Sequence, residues 1–474
     1  MEYKKKFVKK IDKKNIFKIT LTNNQNYSVS FFNFGGYIHN IQIPYHDVPS
    51  KKEDVLLGYK EFTNYLTDTS YLNCLVGRVC GRINNSQFFL KDKKYKLFAN
   101  DGKHHLHGGK KGFNKKTWLI DNIDKNSKEI YCNLSYISSD LEEGYPGNLK
   151  CSVKFSLNNK NEFLIKLKAI SDKDTIVNLT NHNYWNFNGH QKFYNNLSDH
   201  KIQIFADSYC EVDDKFIPTG KIIDIKNTKY DFRKFEKIDE KRLKNKGIDV
   251  CYVAKKYDGK INKLASVYST VTRMGMHILS DQPGLQFYTG NMMEKKYQGK
   301  HGRGYGPQYA LCLEPQFFPD SINNINFQSP ILLKNKQYES NIKSAKIAYK
   351  VIEKEIKKLK INLDKLNVLS ETNIERILEQ SDKFRPDVLI VDSIQTMFTS
   401  TSQSKPGSTT QLRDVTTILT RYSKSKNVTS FVIGHVTKGG DIAGPKVLEH
   451  IVDTVLYFEG EKDCSQDQPK NPKW

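Results

Sequence analysis

Between about residues 5 and 340 the chain alternates apolar and polar side chains with a period of two. The runs YSVSFFNF, SQFFLKDKKYKL, IYCNLSYIS, CSVKFSL, EFLIKLKAI and GLQFYTGN carry the pattern, separated by turns rich in Asn, Asp, Gly and Lys. Such alternation predicts strands with one face buried. No helical period persists there beyond about two turns, and short strands at this density predict a large antiparallel β-sandwich. Near 345 the period changes. Ile352, Ile356, Leu359, Leu363 and Leu366 recur at spacings of four and three, the mark of one amphipathic helix. SETNIERILEQ then reads as a Ser-led helix start, and DVLIVDS as a fully apolar strand ending in Asp392. SFVIGH and DTVLYFE follow as buried strands with a helix between them, which predicts a partial α/β parallel sheet. The expected organisation is a β-sandwich over 1–345, an α/β segment over 346–462 and a disordered tail over 463–474.

A content of 38% hydrophobic and 12% aromatic residues is enough for a sizeable core, so wholesale disorder is not expected. No run of about eighteen apolar residues is present, so no membrane span is expected. The start, MEYKKKFVKK, has basic residues with no apolar stretch behind them and does not read as a signal peptide. Eight cysteines, at 74, 80, 132, 151, 210, 251, 312 and 464, form no C-x-x-C pair and no zinc or disulfide spacing. Reduced thiols in a cytoplasm fit them.

The formal charge of +23 raises nucleic acid as a partner, but only ten of the 75 basic residues are Arg. Residues 350–474 hold 19 basic and 17 acidic side chains, so the excess sits in the first 349 residues, where no nucleic-acid motif occurs. A solvated basic surface accounts for it.

Chemistry concentrates in polar clusters at expected strand ends or turns: GRVCGRIN (77–84), HHLHGG (104–109), NLTNHNYWN (178–186), GIDV (247–250), QPGLQFYTGN (282–291) and LCLEPQFFPDS (311–321). In TIVNLTNHNYWNFNG a strand-forming start runs into four asparagines around one histidine, His182, which is either a satisfied core imidazole or a proton donor facing a pocket. Glu314 follows the apolar ALCL directly, so its carboxylate is either ion-paired or functional. For His107, Gln286, Arg82 and Asp249 the alternatives are turn chemistry, a satisfied amide and ordinary ion pairs. Tyr184, Trp185, Phe287 and Tyr288 either stack on a ligand or fill the core.

In this order and spacing the clusters resemble the aldose 1-epimerases, or galactose mutarotases, over about residues 10–345. The resemblance implies a galactose mutarotase-like sandwich that interconverts the anomers of free hexoses such as galactose and glucose by acid/base ring opening, with no cofactor or metal. It implies Glu314 as general base at the C1 hydroxyl and His182 as the acid at the ring oxygen. Arg82, His107, Asp249 and Gln286 correspond to its sugar ligands. Two positions depart from the family pattern: Gly81 stands where Asn is usual, and Val250 where His is common. The partner implied is a small-molecule aldohexose, with no membrane; oligomeric state has no signature in the sequence.

Residues 353–462 resemble the RadA (Sms) branch of RecA-like DNA-repair ATPases, with Asp392 matching a Walker B aspartate and 400–413 a loop that faces single-stranded DNA. Phosphate binding needs G-x-x-x-x-G-K-[ST] at a helix start, and no such loop exists; GGDIAGPK lacks the hydroxyl. The segment is therefore read as the back of an ATPase core without its P-loop, and Asp392 as non-functional. Two rival readings are a carbohydrate-binding protein without turnover and a DNA-repair accessory protein acting through this C-terminal segment.

Overall fold

The structure, a computed structural model of the 474-residue chain, describes all residues except 47, 191–196, 245–246, 294–297, 303, 348–350, 353–354, 356–368, 370, 406–407, 434–447, 449, 455–457, 462–463 and 470–474; for 458–461 and 464–469 it describes the backbone alone. The chain divides into two units, Met1–Leu359 and Lys360–Trp474.

Alternation builds the first unit. In Leu149–Asn158 the residues Cys151, Val153, Phe155 and Leu157 are buried, and in the paired strand Glu162–Ser171 so are Phe163, Ile165, Leu167 and Ala169. These strands lie within a nine-stranded antiparallel sheet whose order is Leu119–Lys125, Glu129–Ser138, Leu149–Asn158, Glu162–Ser171, Gln337–Lys346, Gly275–Ser280, Asn262–Ser269, His200–Ile204 and Glu236–Lys237. A five-stranded antiparallel meander covers Glu2–Ile11 to Lys52–Asp54. It packs on the larger sheet, with the Phe31 ring 4.5 Å from that of Phe155. Each fully buried aliphatic or Phe side chain in this core contributes about 1.5–3 kcal/mol. The outermost strand of the meander carries Lys4, Lys5, Lys6, Lys9 and Lys10, charges that keep an exposed edge from pairing with another chain.

The third large sheet positions the site. Its order is Tyr184–Trp185, Leu311–Gln316, Gly284–Tyr288, Asp249–Val253, Ser208–Val212 and Pro218–Asp224. Val250, Tyr252, Leu285, Phe287, Leu311 and Leu313 point into the main core. The alternate residues Asp249, Cys251, Gln286, Tyr288, Glu314 and Gln316 line a pocket on the opposite face. Glu314 thus lies inside a strand that continues through Pro315 and Gln316, not at the strand end the sequence suggested.

The second unit contains a β-α-β arrangement. Val388–Asp392 and Thr429–Ile433 pair in parallel, connected by the helix Thr409–Lys426, which is capped by Ser408. A helix, Ile374–Phe384, precedes them; its N-cap is Asn373, whose side chain accepts from the Arg376 N–H, so the expected Ser-led start is corrected. Val391, Leu412, Val415 and Leu419 share its core with Ile374 and Ile377. The parallel sheet has two strands among the described residues, not three. Asp453 and Thr454 of DTVLYFE are not in a strand, and Phe458–Glu461 pairs antiparallel with Cys464–Pro469, inside the segment expected to be a disordered tail. Most of the helix expected over 352–366, and GGDIAGPK, lie outside the described residues. No described helix is long and apolar enough to cross a membrane. Seven cysteines are free and buried.

Candidate active site

Three asparagines of TIVNLTNHNYWNFNG satisfy backbone groups of other segments. Asn178 accepts from the Phe317 N–H (2.9 Å) and donates to the Phe317 carbonyl (3.2 Å), and Asn181 donates to the Cys74 carbonyl (3.0 Å). Asn186 donates to the Tyr309 carbonyl (2.8 Å), and Thr180 Oγ1 to that of Pro315 (2.8 Å). These ties hold the short strand Thr180–Asn181 against Leu75–Val76 and against the strand that carries Glu314. They fix the backbone of His182, whose N–H donates to the Cys74 carbonyl at 3.0 Å. Its imidazole enters the pocket, with Nε2 3.6 Å from a Glu314 carboxylate oxygen.

All six residues singled out in the sequence line this one cavity of about 260 Å³: Arg82, His107, His182, Asp249, Gln286 and Glu314. Gln286 stands directly across from Glu314 in the strand register, and its Nε2 donates to Asp249 Oδ1 at 2.6 Å. Arg82 donates through Nε to Asp101 at 2.7 Å and lies 5.1 Å from the Phe216 ring, so it is both ion-paired and pocket-lining.

His107 lies in a turn that needs its glycines, since a Cβ on Gly108 would come within 1.8 Å of the Gly77 carbonyl oxygen. The Gly81 N–H donates to His107 Nδ1 at 3.2 Å, which assigns the ring proton to Nε2 and makes that nitrogen a donor. Gly81 has φ +74°, and a Cβ there would approach Pro319 to 3.1 Å. A left-handed backbone is open to Gly and, at some cost, to Asn, which rationalises the departure at this position.

Burial dominates the electrostatics. It pushes the Glu314 carboxyl well above its usual range, with the Asp249 charge adding to the effect. Asp249 rises to about 6 through burial, against the pull of Arg82 and the Gln286 hydrogen bond. Burial lowers His182 to about 4, and lowers His107 well below the usual imidazole value with help from His182 and Arg82. Among the described residues His182, Cys312 and Glu314 are grouped closely enough to offer ligand atoms to a metal. Burial holds the Cys312 thiol and the Glu314 carboxyl toward their protonated forms, so that donor set does not favour a cation.

Of the aromatics left open in the sequence, Tyr184 and Tyr288 line the pocket while Trp185 and Phe287 belong to the core. Sequence reasoning missed Thr69, Ser70 and Tyr71, which form one wall. Asp68 organises their turn, accepting from the N–H groups of Ser70 (3.0 Å) and Leu72 (2.9 Å) and from the hydroxyls of Tyr37 and Tyr59. The Asp-x-Ser pattern signals such a turn, but nothing local says that it meets a pocket.

The aldose 1-epimerase family model matches residues 18–344. Galactose mutarotase from Bos taurus is 36% identical over 295 residues, spanning 62% of this chain and 84% of its own length. Aldose 1-epimerase from Escherichia coli (strain K12) is 32% identical over 334 residues, 68% of this chain and 92% of that one. Among solved structures, a GalM/aldose epimerase homologue from C. elegans superposes with a TM-score of 0.62 at 26% identity, over 69% of this chain and 98% of the other. Galactose 1-epimerase from Lactobacillus acidophilus NCFM gives 0.64 at 24% identity, over 73% and 98%, and shows the shared fold. A sandwich whose pocket gathers these carboxylates, imidazoles and amides, matched by a family model over more than half its length, belongs to the aldose 1-epimerase family.

Proposed function

We infer that the chain interconverts the α and β anomers of free aldohexoses such as galactose and glucose, with Glu314 and His182 as its proton-transfer pair. The Glu314 carboxylate takes the proton of the C1 hydroxyl, and the His182 imidazolium gives a proton to the ring oxygen as the C1–O bond breaks. The product is the open-chain aldehyde, with Glu314 protonated and His182 neutral. Rotation about C1–C2 presents the other carbonyl face, and the reverse transfers close the ring with the pair restored. Arg82, His107, Asp249 and Gln286 hold the sugar hydroxyls.

One observation carries this reading: the imidazole and the carboxylate face each other at 3.6 Å inside a pocket lined by all four proposed sugar ligands. Burial by itself puts the resting proton on Glu314 and leaves His182 neutral. The working form, carboxylate and imidazolium, holds the same single proton, so reaching it requires transfer within the pair and no exchange with solvent. Hydroxyls of a bound sugar donating to the carboxylate favour that transfer.

The test is mutarotation of freshly dissolved α-D-galactose and α-D-glucose followed by polarimetry. Glu314→Gln and His182→Asn are each expected to slow the enzyme about 100- to 10,000-fold. A carbohydrate-binding protein without turnover would instead match buffer in every form.

For residues 353–462 the reading is a RecA-like fragment, supported by the parallel strand pair with its helical crossover and by Asp392 at the end of the first strand. Lacking a P-loop sequence, the chain is assigned no ATP hydrolysis.

A further inference from the structure

A buried catalytic imidazole is usually oriented by a hydrogen bond from its second ring nitrogen to a carboxylate or carbonyl. His182 has none to another residue: its Nδ1 is buried without such a partner, and the ring's only backbone hydrogen bond is to its own residue. Rings surround it instead. Tyr184 lies nearly parallel to the imidazole, at 5.0 Å between centroids and 13° between planes. Tyr71 is also nearly parallel, at 6.3 Å and 17°. Tyr288 and His107 stand almost perpendicular, at 6.2 Å and 85° and at 5.3 Å and 74°.

The two parallel rings are themselves anchored. Tyr184 donates its hydroxyl to the Ser70 carbonyl at 2.8 Å, and its N–H to Asn73 Oδ1 at 2.8 Å. The Tyr71 hydroxyl accepts from Asn100 Nδ2 at 3.3 Å, and Asn100 Oδ1 accepts the Leu106 N–H at 2.8 Å, next to His107.

We propose that Tyr184 and Tyr71 are positioning residues, whose parallel rings set the plane of the His182 imidazole and so the direction of Nε2, in place of a hydrogen bond from Nδ1 to a neighbouring residue. A ring not tied at Nδ1 to a neighbouring residue can otherwise turn about its Cβ–Cγ bond, and terminal torsions of this kind are broad. Aromatic faces carry negative quadrupole charge, so the same rings favour the imidazolium when the proton arrives in surroundings that otherwise oppose it. With no neighbouring residue bonded at Nδ1, the ring also changes protonation state without breaking a bond to another side chain. The inference rests on His182 being the acid of the proposed function.

The test compares Tyr184→Phe, Tyr184→Leu and Tyr71→Leu in the full chain, with His182→Asn as control. Tyr184→Phe keeps the ring face and is expected within about threefold of wild type. The two Leu variants are expected to lose about 10- to 100-fold in kcat with KM changed less than threefold. In histidine-labelled protein, the His182 ring protons should be ring-current shifted in wild type and Tyr184→Phe, and move toward free imidazole in Tyr184→Leu. Tyr71→Leu repeats the test on the second parallel ring should Tyr184→Leu fail to fold. A loss appearing in KM alone, an equal loss in Phe and Leu variants, or ring protons unmoved by removal of the Tyr184 face would overturn the proposal. If His182→Asn retains full activity, the acid assignment fails separately, and the resonance shifts alone decide whether the rings orient the imidazole.

Discussion

At the scale of single residues, the pocket trades stability for charge. Asp249 is driven up to about 6 from a reference of 3.8 because burial opposes its ionisation. Folding therefore favours the protonated carboxyl. That contribution is full below the reference value and is lost as pH rises through about 6. Asp249→Asn cannot ionise and retains an oxygen for the Gln286 amide. It is expected to be about 1–3 kcal/mol more stable than wild type at pH 8 and to show no such advantage near pH 4, as measured by urea denaturation.

The same titration bears on catalysis. Wild-type KM should rise as pH falls through about 6, where Asp249 takes up a proton, while kcat holds until about 4, where His182 takes a second proton onto the pair. In Asp249→Asn the KM step should vanish and KM should be high throughout, as read from initial rates against sugar concentration at each pH.

At the scale of elements, the site is built where a short strand crosses a long one. Thr180–Asn181 has two residues, and side chains reinforce its short ladder with Leu75–Val76. Asn73 makes a similar tie, donating to the Leu57 carbonyl at 2.6 Å and accepting the Tyr184 N–H at 2.8 Å from a backbone at φ +70°. Asn73→Ala should cost about 2–4 kcal/mol, since it strands two buried backbone groups and places a Cβ-bearing residue without a compensating side chain in the left-handed region. Asn73→Gly relieves the backbone but not the hydrogen bonds, so its smaller loss in thermal denaturation separates the two terms.

Period-two alternation made the sandwich legible, because a strand with one wet and one dry face writes that difference into its own residues. In the six-stranded sheet both faces are covered, one by core and one by pocket. Alternation there separated Phe287 from Gln286 and Leu313 from Glu314 but could not say which covered face was functional. The short α/β strands were legible as apolar runs, whereas their number and partners were not, because pairing is decided by segments distant in sequence.

At the scale of the whole molecule, the family match ends at residue 344, and all the proposed chemistry lies before that point. Truncation after Leu359, the end of the first unit, is expected to leave kcat/KM for mutarotation within about twofold of the full chain, since no proposed ligand or proton-transfer residue is removed. Polarimetry on the two proteins checks this; a fall beyond tenfold would mean that the second unit supports the pocket. Among the described residues, that unit has a sheet face carrying Val388, Ile390, Phe431 and Ile433, all exposed, opposite the face covered by helix. Parallel sheets are ordinarily covered on both sides, so the truncated protein should also scatter less light on concentration than the full chain.

The sequence by itself determined the strands of the sandwich, the place where a second texture begins, and the identities of six side chains suited to sugar chemistry, because periodicity and residue type are local properties. Only the tertiary structure decided that His182 meets Glu314 across 3.6 Å, that Gln286 lies opposite Glu314 and holds Asp249, and that a wall from residues 69–71 closes the pocket. It also decided the protonation of the site. A carboxylate and an imidazole written in sequence carry their ordinary affinities for protons, and it is burial, a property of the assembled fold, that raises one and lowers the other.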